Sequence, residues 1–206
     1  MRLKRWLAEV AAISFAAPAP AYAGAILSPV AVVANTLGTA GGSTAHLIDQ
    51  SGLSINFISG ETDFDTYIAL DPTSAVVSQT TGWASSANKM PGYLEFDLGR
   101  EFSISAFVMW TQNSALAVNS FTLSSALDSG FTNLGTVDAV IGLNAQTFAV
   151  TGMGQFVRSE INSGHGPTSV NLGEVAFDTE VVAEPVTLAV FGAPDPRSVP
   201  AGAVLA

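Results

Sequence analysis

The chain has 206 residues, of which 48% are hydrophobic and 12% charged, and it contains no cysteine. This length allows one domain with a substantial core and is short for two. The formal net charge is −10, which repels phosphate backbones and anionic membranes and argues against nucleic acid as a partner. Because disulfides are impossible, stability must come from core burial, with the possible help of a bound ion.

Residues 1–23 have the three parts of a secretory signal peptide: a basic start, an apolar run over residues 6–17 and an Ala-x-Ala motif ending at Ala23. The alternative is an amphipathic N-terminal helix. Cleavage after residue 23 removes three of the seven basic and one of the seventeen acidic residues, so the mature chain has a formal net charge of 4 − 16 = −12. We therefore expect an exported, strongly acidic mature protein.

Residues 24–46 are expected to form a flexible lead-in and a first strand, because residues 34–46 are rich in Gly, Ala, Ser and Thr but lack the Lys-Ser/Thr of a phosphate-binding loop. From there to residue 180, short runs rich in β-branched and aromatic residues alternate with turn residues. This pattern predicts an all-β fold, an antiparallel sandwich or jelly roll. The candidate strands are 53–57, 94–98, 102–106, 106–110, 120–124, 139–141, 146–150, 155–161 and 173–177.

Segment 106–110, "AFVMW", is apolar on both strand faces, so it predicts a central strand with Trp110 closing one end of the core. Segment 93–99, "YLEFDLG", alternates instead, placing Glu95 and Asp97 on one face and three apolar residues on the other. Two carboxylates on one strand face are compatible with glycoside hydrolysis, but a hydrated sheet face is the simpler interpretation.

Other catalytic chemistry has little support. The chain has two histidines, His46 and His165, no G-x-S-x-G motif and too few N or S ligands for a usual zinc site. Residues 60–66, "GETDFDT", put three carboxylates in a turn-like segment, and Ca²⁺ prefers six to eight oxygen ligands. Asp63 and Asp65 are therefore candidate calcium ligands, although an acidic turn is often only a soluble turn.

Several segments in order resemble the discoidin, or coagulation factor V/VIII type C, domain, a galactose-binding-like β-sandwich. They are 81–85 "TGWAS", 92–99 "GYLEFDLG", 102–110 "FSISAFVMW", 121–125 with 128–131, 155–160 "QFVRSE" and 172–177 "LGEVAF". The resemblance covers about residues 47–178. It implies binding rather than catalysis, through loops at one end of the sandwich, and in many members a structural calcium ion.

The resemblance also implies calcium ligands. In the family pattern they are an acidic loop residue shortly before a T-x-W segment and a Glu on the last strand. Asp71 is the nearest acidic match, with Pro72 where Gly is usual, while Thr81 and Glu174 match the Thr and the Glu. The alternative for Glu174 is an exposed strand residue.

Segments 47–54 "LIDQSGLS" and 59–69 "SGETDFDTYIA" are similar to discoidin-like proteins exported by Gram-negative bacteria with PEP-CTERM sorting tails. Residues 184–192, "EPVTLAVFG", resemble the start of such a tail, but Ala183 replaces its first Pro and the apolar helix and Arg cluster are missing. Segment 181–206 is thus expected to be a degenerate, disordered tail, which puts membrane anchoring in doubt.

The expected function is an exported, non-catalytic module that binds extracellular polysaccharide or another cell-surface component and holds a structural calcium ion. The alternative is a structural envelope or biofilm-matrix protein without a specific small ligand. A glycoside hydrolase using Glu95 and Asp97 ranks last.

Overall fold

The computed structural model describes residues 24–128 and 130–182. The predicted signal peptide and the predicted tail from residue 183 lie outside the described residues. The elements are β1 Ala25–Leu27, β2 Ala31–Asn35, β3 Gly41–Gly42, a 3-10 helix Thr44–Leu47, α1 Phe64–Ile68, β4 Trp83–Ala84, β5 Gly92–Trp110, β6 Val118–Ala126, β7 Thr132–Asp138, β8 Gln146–Gly164, β9 Asn171–Leu172 and β10 Glu174–Val181. Every strand pairing is antiparallel.

Two long strands, β5 and β8, run through both layers of the sandwich. The first half of β5 pairs with β2 and with the second half of β8, which also pairs with β6. The second half of β5 pairs with β10 and with the first half of β8. The register between β5 and β8 shifts between Asp97 and Phe102, beside Gly99, whose φ of 88° is costly for other residues. The predicted all-β antiparallel sandwich is confirmed.

The core lies between these layers and is rich in aromatic rings. Phe96 in the first half of β5 meets Phe177 of β10 with ring centroids 6.2 Å apart, and Phe107 meets Phe121 at 5.5 Å. Phe107 also contacts Phe148 and Phe177. Such edge-to-face and tilted contacts add to the area that each ring buries, so Phe107 joins the two layers at the centre of the core.

A second apolar cluster covers the other face of β5 and β10. Ala106, Val108 and Trp110 belong to this cluster, whereas Phe107 and Met109 belong to the main core. Segment 106–110 is therefore buried on both faces, as its composition predicts. The cover consists of the segment 53–70 with α1, which contributes Phe57, Phe64 and Tyr67 among others.

Two predicted strands are not strands. Segment 53–57 is a loop with one isolated bridge, at Leu53, because the side chain of Gln50 takes both backbone hydrogen bonds of Phe57. Segment 139–141 is also a loop, and its Val140 and Ile141 are exposed. The alternation in 53–57 and the short apolar run in 139–141 are too brief to distinguish a strand from a loop that buries only one or two side chains.

Segment 34–46, expected to be a flexible lead-in, is instead part of the sandwich. Leu37 and Leu47, on either side of its glycines, are fully buried in the main core. Gly41 and Gly42 form β3, which pairs with β4 in a small three-stranded sheet completed by β9. Within the described residues, no helix is long and apolar enough to cross a membrane.

Candidate functional site

Glu174, at the start of β10, is a charged side chain fully buried beneath the loop 49–57. Its Oε2 accepts the Gln50 backbone N–H at 2.9 Å, and its Oε1 is buried with no hydrogen-bond partner. Burial, the main cause, and the negative charge of Asp49 together raise the pKa of Glu174 to about 9, although the hydrogen bond from the Gln50 N–H lowers it in part. A buried carboxylate with one oxygen unsatisfied is costly unless a cation or a proton compensates it.

The loop above Glu174 is fixed by side-chain hydrogen bonds. Gln50, at φ 61°, bridges the backbone of Phe57, accepting its N–H at 2.8 Å and donating to its carbonyl at 3.2 Å. Asp49 accepts from the Ser51 N–H at 2.9 Å and lies 2.9 Å from His46 Nδ1. This geometry holds the Gln50 N–H and the Asp49 charge close to Glu174.

The acidic residues of α1 lie elsewhere. Asp63 caps the helix, and its carboxylate accepts the Thr66 N–H at 2.8 Å. The side chain of Thr66 and then its N–H lower the pKa of Asp63 by hydrogen bonding. Asp65 lies in the first turn of the same helix. The charges of both residues contribute to raising the pKa of Asp178, after burial as the main cause.

The other two predicted ligands have partners of their own. Asp71 accepts from Asn144 Nδ2 at 2.8 Å, and Thr81 Oγ1 donates to the Val76 carbonyl at 3.0 Å. Across residues 24–128 and 130–182, no three Asp, Glu or His side chains converge as a metal-binding group. The structure therefore does not bring Asp63, Asp65, Asp71 and Glu174 together, and Asp49 is the carboxylate that acts on Glu174.

The oxygen atoms around Glu174 are nevertheless of the chemical types that bind a hard cation. The free Oε1 supplies one buried anionic oxygen, and the hydroxyl of Ser74, also buried without a partner, lies against Gly173, where a Cβ would meet it at 2.9 Å. Calcium binds carboxylate, hydroxyl and backbone carbonyl oxygens. Glu174 and Asp49 would hold such an ion, together with carbonyls of the loop 49–57, and the ion would link this loop to β10.

A second surface adjoins the Glu174 site through Ser74. It lies where β5 ends, beside both ends of the bent strand β8. We call it the neutral loop cluster, residues 72–82, 111–117, 139–145 and 165–170. Gln112 ties three of its loops together, accepting from Val77 N–H through Oε1 and from Gly142 N–H through its carbonyl, both at 3.2 Å. His165 ties the fourth, since Nε2 donates to the Ala139 carbonyl at 3.0 Å.

The neutral loop cluster has no Asp, Glu, Lys or Arg, although the chain has 24 such residues (7 + 17). It exposes Val76, Leu116, Val140 and Ile141. The sequence prediction named no carbohydrate-binding residue in these loops, and it named Thr81 only as a calcium ligand. The loops fall within four charge-free runs, residues 72–88, 102–127, 139–157 and 161–173, but residues 10–48 form a longer one, so the lack of charge alone does not single these loops out in the sequence.

The carboxylates of segment 93–99 are both engaged in hydrogen bonds. Glu95 Oε2 accepts from Nη2 of Arg158 at 2.8 Å and from its Nε at 3.2 Å. The Arg158 guanidinium carbon lies 4.1 Å from the Tyr93 ring centroid and 4.0 Å from that of Phe131. Asp97 accepts from the Gly99 N–H and from Gln155. The pair thus anchors the outer sheet face.

The two layers, the bent strands and the loops at one end define the class of the protein as an antiparallel β-sandwich, and a solved structure has the same fold. The C-terminal domain of a chitobiase from Bacteroides fragilis superposes with a TM-score of 0.51 at 14% identity, covering 77% of this chain and 99% of that one. This likeness establishes the fold.

Two further solved structures are similar at lower scores. Chitosan-binding module 1 of a chitosanase/glucanase from Paenibacillus sp. IK-5 has a TM-score of 0.49 at 18% identity, covering 73% of this chain and 95% of that one. The family 32 carbohydrate-binding module of NanJ from C. perfringens, in complex with galactose, has 0.41 at 12%, covering 47% and 74%. No protein-family model matches the chain, and the search of curated proteins finds no relative.

Proposed function

We propose that the protein is an exported, non-catalytic carbohydrate-binding module whose neutral loop cluster contacts an extracellular polysaccharide. The observation that carries the proposal is the cluster itself: four loops tied together by Gln112 and His165 at one end of the sandwich. Rigidly held loops presenting uncharged polar and apolar groups are suited to sugar hydroxyls and ring carbons. The fold, shared with a domain of a chitobiase, supports the same class of partner.

The absence of catalysis is supported by the engagement of Glu95 and Asp97. General acid and base catalysis requires two carboxyl groups in different environments, each able to reach the substrate. Here Glu95 is paired with an arginine that two aromatic rings enclose, and Asp97 is held by Gly99 and Gln155. Export rests on the signal peptide predicted for residues 1–23, and the resemblance to exported bacterial proteins supports it.

The test is retention of the full chain on a panel of immobilised polysaccharides, with calcium and with EDTA. We expect retention on at least one polysaccharide and competition by its soluble oligosaccharides. Failure to be retained on any polysaccharide in the presence of calcium would overturn the proposal. Concentration-dependent assembly in sedimentation, without glycan binding, would favour the envelope or matrix protein instead.

We also propose that a structural calcium ion sits at Glu174. The support is the buried, partnerless Oε1 of Glu174 together with the neighbouring charge of Asp49. An ion there would neutralise a carboxylate that is otherwise costly to ionise and would fix the loop 49–57. Thermal unfolding with calcium and with EDTA tests it, since a ligand that binds only the folded state raises the melting temperature.

A further inference from the structure

We infer that the neutral loop cluster takes uncharged sugars bearing methyl groups, such as N-acetyl or 6-deoxy sugars, and rejects uronates and free amino sugars. This rests on the proposed function and names its ligand class. The charged residues nearest in sequence to the cluster are Asp71 and Asp138, each directly adjacent to a loop, followed by Glu174, Glu160 and Lys89; all lie outside the four loops. Asp71 is engaged by Asn144.

The first step of the argument is electrostatic. A uronate is recognised by Arg or Lys, and a protonated amino sugar by a carboxylate, through charge-assisted hydrogen bonds. A charged ligand entering the cluster would lose hydration without gaining a counter-charge from the residues of the four loops. The acidic remainder of the protein would in addition repel an anionic polymer. An uncharged sugar avoids both penalties, because its hydroxyls need only the amides and hydroxyls that the loops expose, such as Asn113 and Thr168.

The second step concerns the apolar part of the surface. Sugar rings commonly stack on exposed aromatic rings, but the neutral loop cluster contains no aromatic residue, and the nearby Trp83 and Trp110 are fully buried. Both indoles are also engaged, donating to Thr39 Oγ1 and to the Pro72 carbonyl. The exposed apolar groups are aliphatic: Val76, Leu116, Val140 and Ile141. Aliphatic side chains gain from burying methyl groups, which N-acetyl and 6-deoxy sugars carry.

The experiment measures calorimetric binding of the full chain to matched oligosaccharides at low and high salt. The probes are trimers of N-acetylglucosamine, of glucosamine, of glucose and of mannuronate, and a rhamnose trimer to separate 6-deoxy from N-acetyl sugars. We expect the N-acetylated or the 6-deoxy trimer to bind tighter than the glucose trimer by about fourfold per buried methyl group. Salt should change this affinity by less than about twofold, because no ion pair forms.

The location is tested with V140S, which should weaken binding several-fold. V30S is its matched control, since Val30 is 63% and Val140 65% exposed but Val30 lies outside the cluster. Neither exposed position should affect folding.

Each remaining outcome overturns a distinct statement. Preferred, salt-sensitive binding of the glucosamine or mannuronate trimer would overturn the ligand class and leave the carbohydrate-binding function standing. Equal binding of the glucose trimer would overturn the role of the methyl groups. Equal effects of V140S and V30S would overturn the location. If no oligosaccharide or polysaccharide binds, the proposed function itself fails.

Discussion

The loop 49–71 and the neutral loop cluster are both irregular surface segments, but they differ completely in charge. Loop 49–71 has five acidic residues and no basic one, whereas the cluster has none of either. In the loop, three of the five acidic residues have structural partners: Asp63 caps a helix, Asp71 accepts a hydrogen bond from Asn144, and Asp49 lies 2.9 Å from His46. Acidic residues therefore mark where this protein stabilises itself, and the uncharged surface marks where we expect a ligand.

The largest effect is expected at Glu174, beneath the acidic loop. Burial raises the pKa of its carboxyl to about 9, against about 4.3 in an unfolded chain. A raised pKa means that the contribution to stability is complete below about pH 4.3 and is lost as pH rises through about 9. In EDTA, the melting temperature should thus fall from acidic to alkaline pH.

The substitution E174Q replaces the carboxyl group with an amide of nearly the same shape, which stays neutral at every pH. In EDTA at alkaline pH, we expect it to exceed the wild type in stability by an amount on the order of a few kcal/mol. Calcium should stabilise the wild type most at alkaline pH and leave E174Q unchanged, because protons compete with the metal. The control is D178N, which removes the other carboxyl whose pKa is raised by burial. A flat profile for the wild type in EDTA would contradict the assignment.

A smaller loss of stability is expected when the Gln50 clamp is broken, by which we mean the two hydrogen bonds between the Gln50 side chain and the Phe57 backbone above Glu174. Q50A removes two side-chain hydrogen bonds to the Phe57 backbone and should cost about 1 to 3 kcal/mol in chemical denaturation. Its matched control is Q79A, since Gln79 is exposed and makes a single bond to the Gly42 N–H. Equal losses in the two variants would mean that the clamp has no special role.

Residues 49–71 also show that proximity along the sequence does not predict which carboxylate lies near Glu174. Asp71 is the acidic residue closest before Thr81 and Trp83, so a linear pattern selects it. Asp49 lies earlier in the sequence. The residues between Asp49 and Asp71 cover the second apolar cluster, and the chain then returns to pair with the loop at Leu53. The carboxylate nearest in sequence is therefore not the one whose charge acts on Glu174. Spacing predicts contacts only where the intervening chain is regular.

The sequence predicted the strands more accurately than it predicted the candidate site residues in the loops. Residues 94–98 and 102–110 are strand residues as predicted, and so are 146–150 and 155–161. Each pair was predicted as separate strands, whereas in the structure each forms one continuous strand, β5 or β8, with glycines between the predicted parts. A Cβ on Gly154 would lie 2.7 Å from the Ala126 carbonyl. Glycine marks both turns and close backbone approaches, and only the pairing partner distinguishes them.

A third prediction decides between the sequence-derived and the structure-derived carboxylates. D49N should weaken calcium binding about tenfold or more, because it removes a charge next to Glu174, whereas D71N should leave the affinity unchanged. Calcium titration followed by calorimetry measures both. The opposite order, with D71N the weaker binder, would restore the linear assignment.

The smallest effect is expected on the outer sheet face, where charges are present but paired. Glu95 and Arg158 have side chains 18% and 31% exposed, and such pairs contribute at most about 1 kcal/mol. E95Q should therefore cost less than about 1 kcal/mol, and R158A more, because it also removes the guanidinium from between Tyr93 and Phe131. Neither variant should change glycan binding, which we place at the neutral loop cluster. If the wild type releases reducing sugars from a polysaccharide and E95Q does not, Glu95 is catalytic. That result would contradict the distinction between structural charged pairs and an uncharged binding surface.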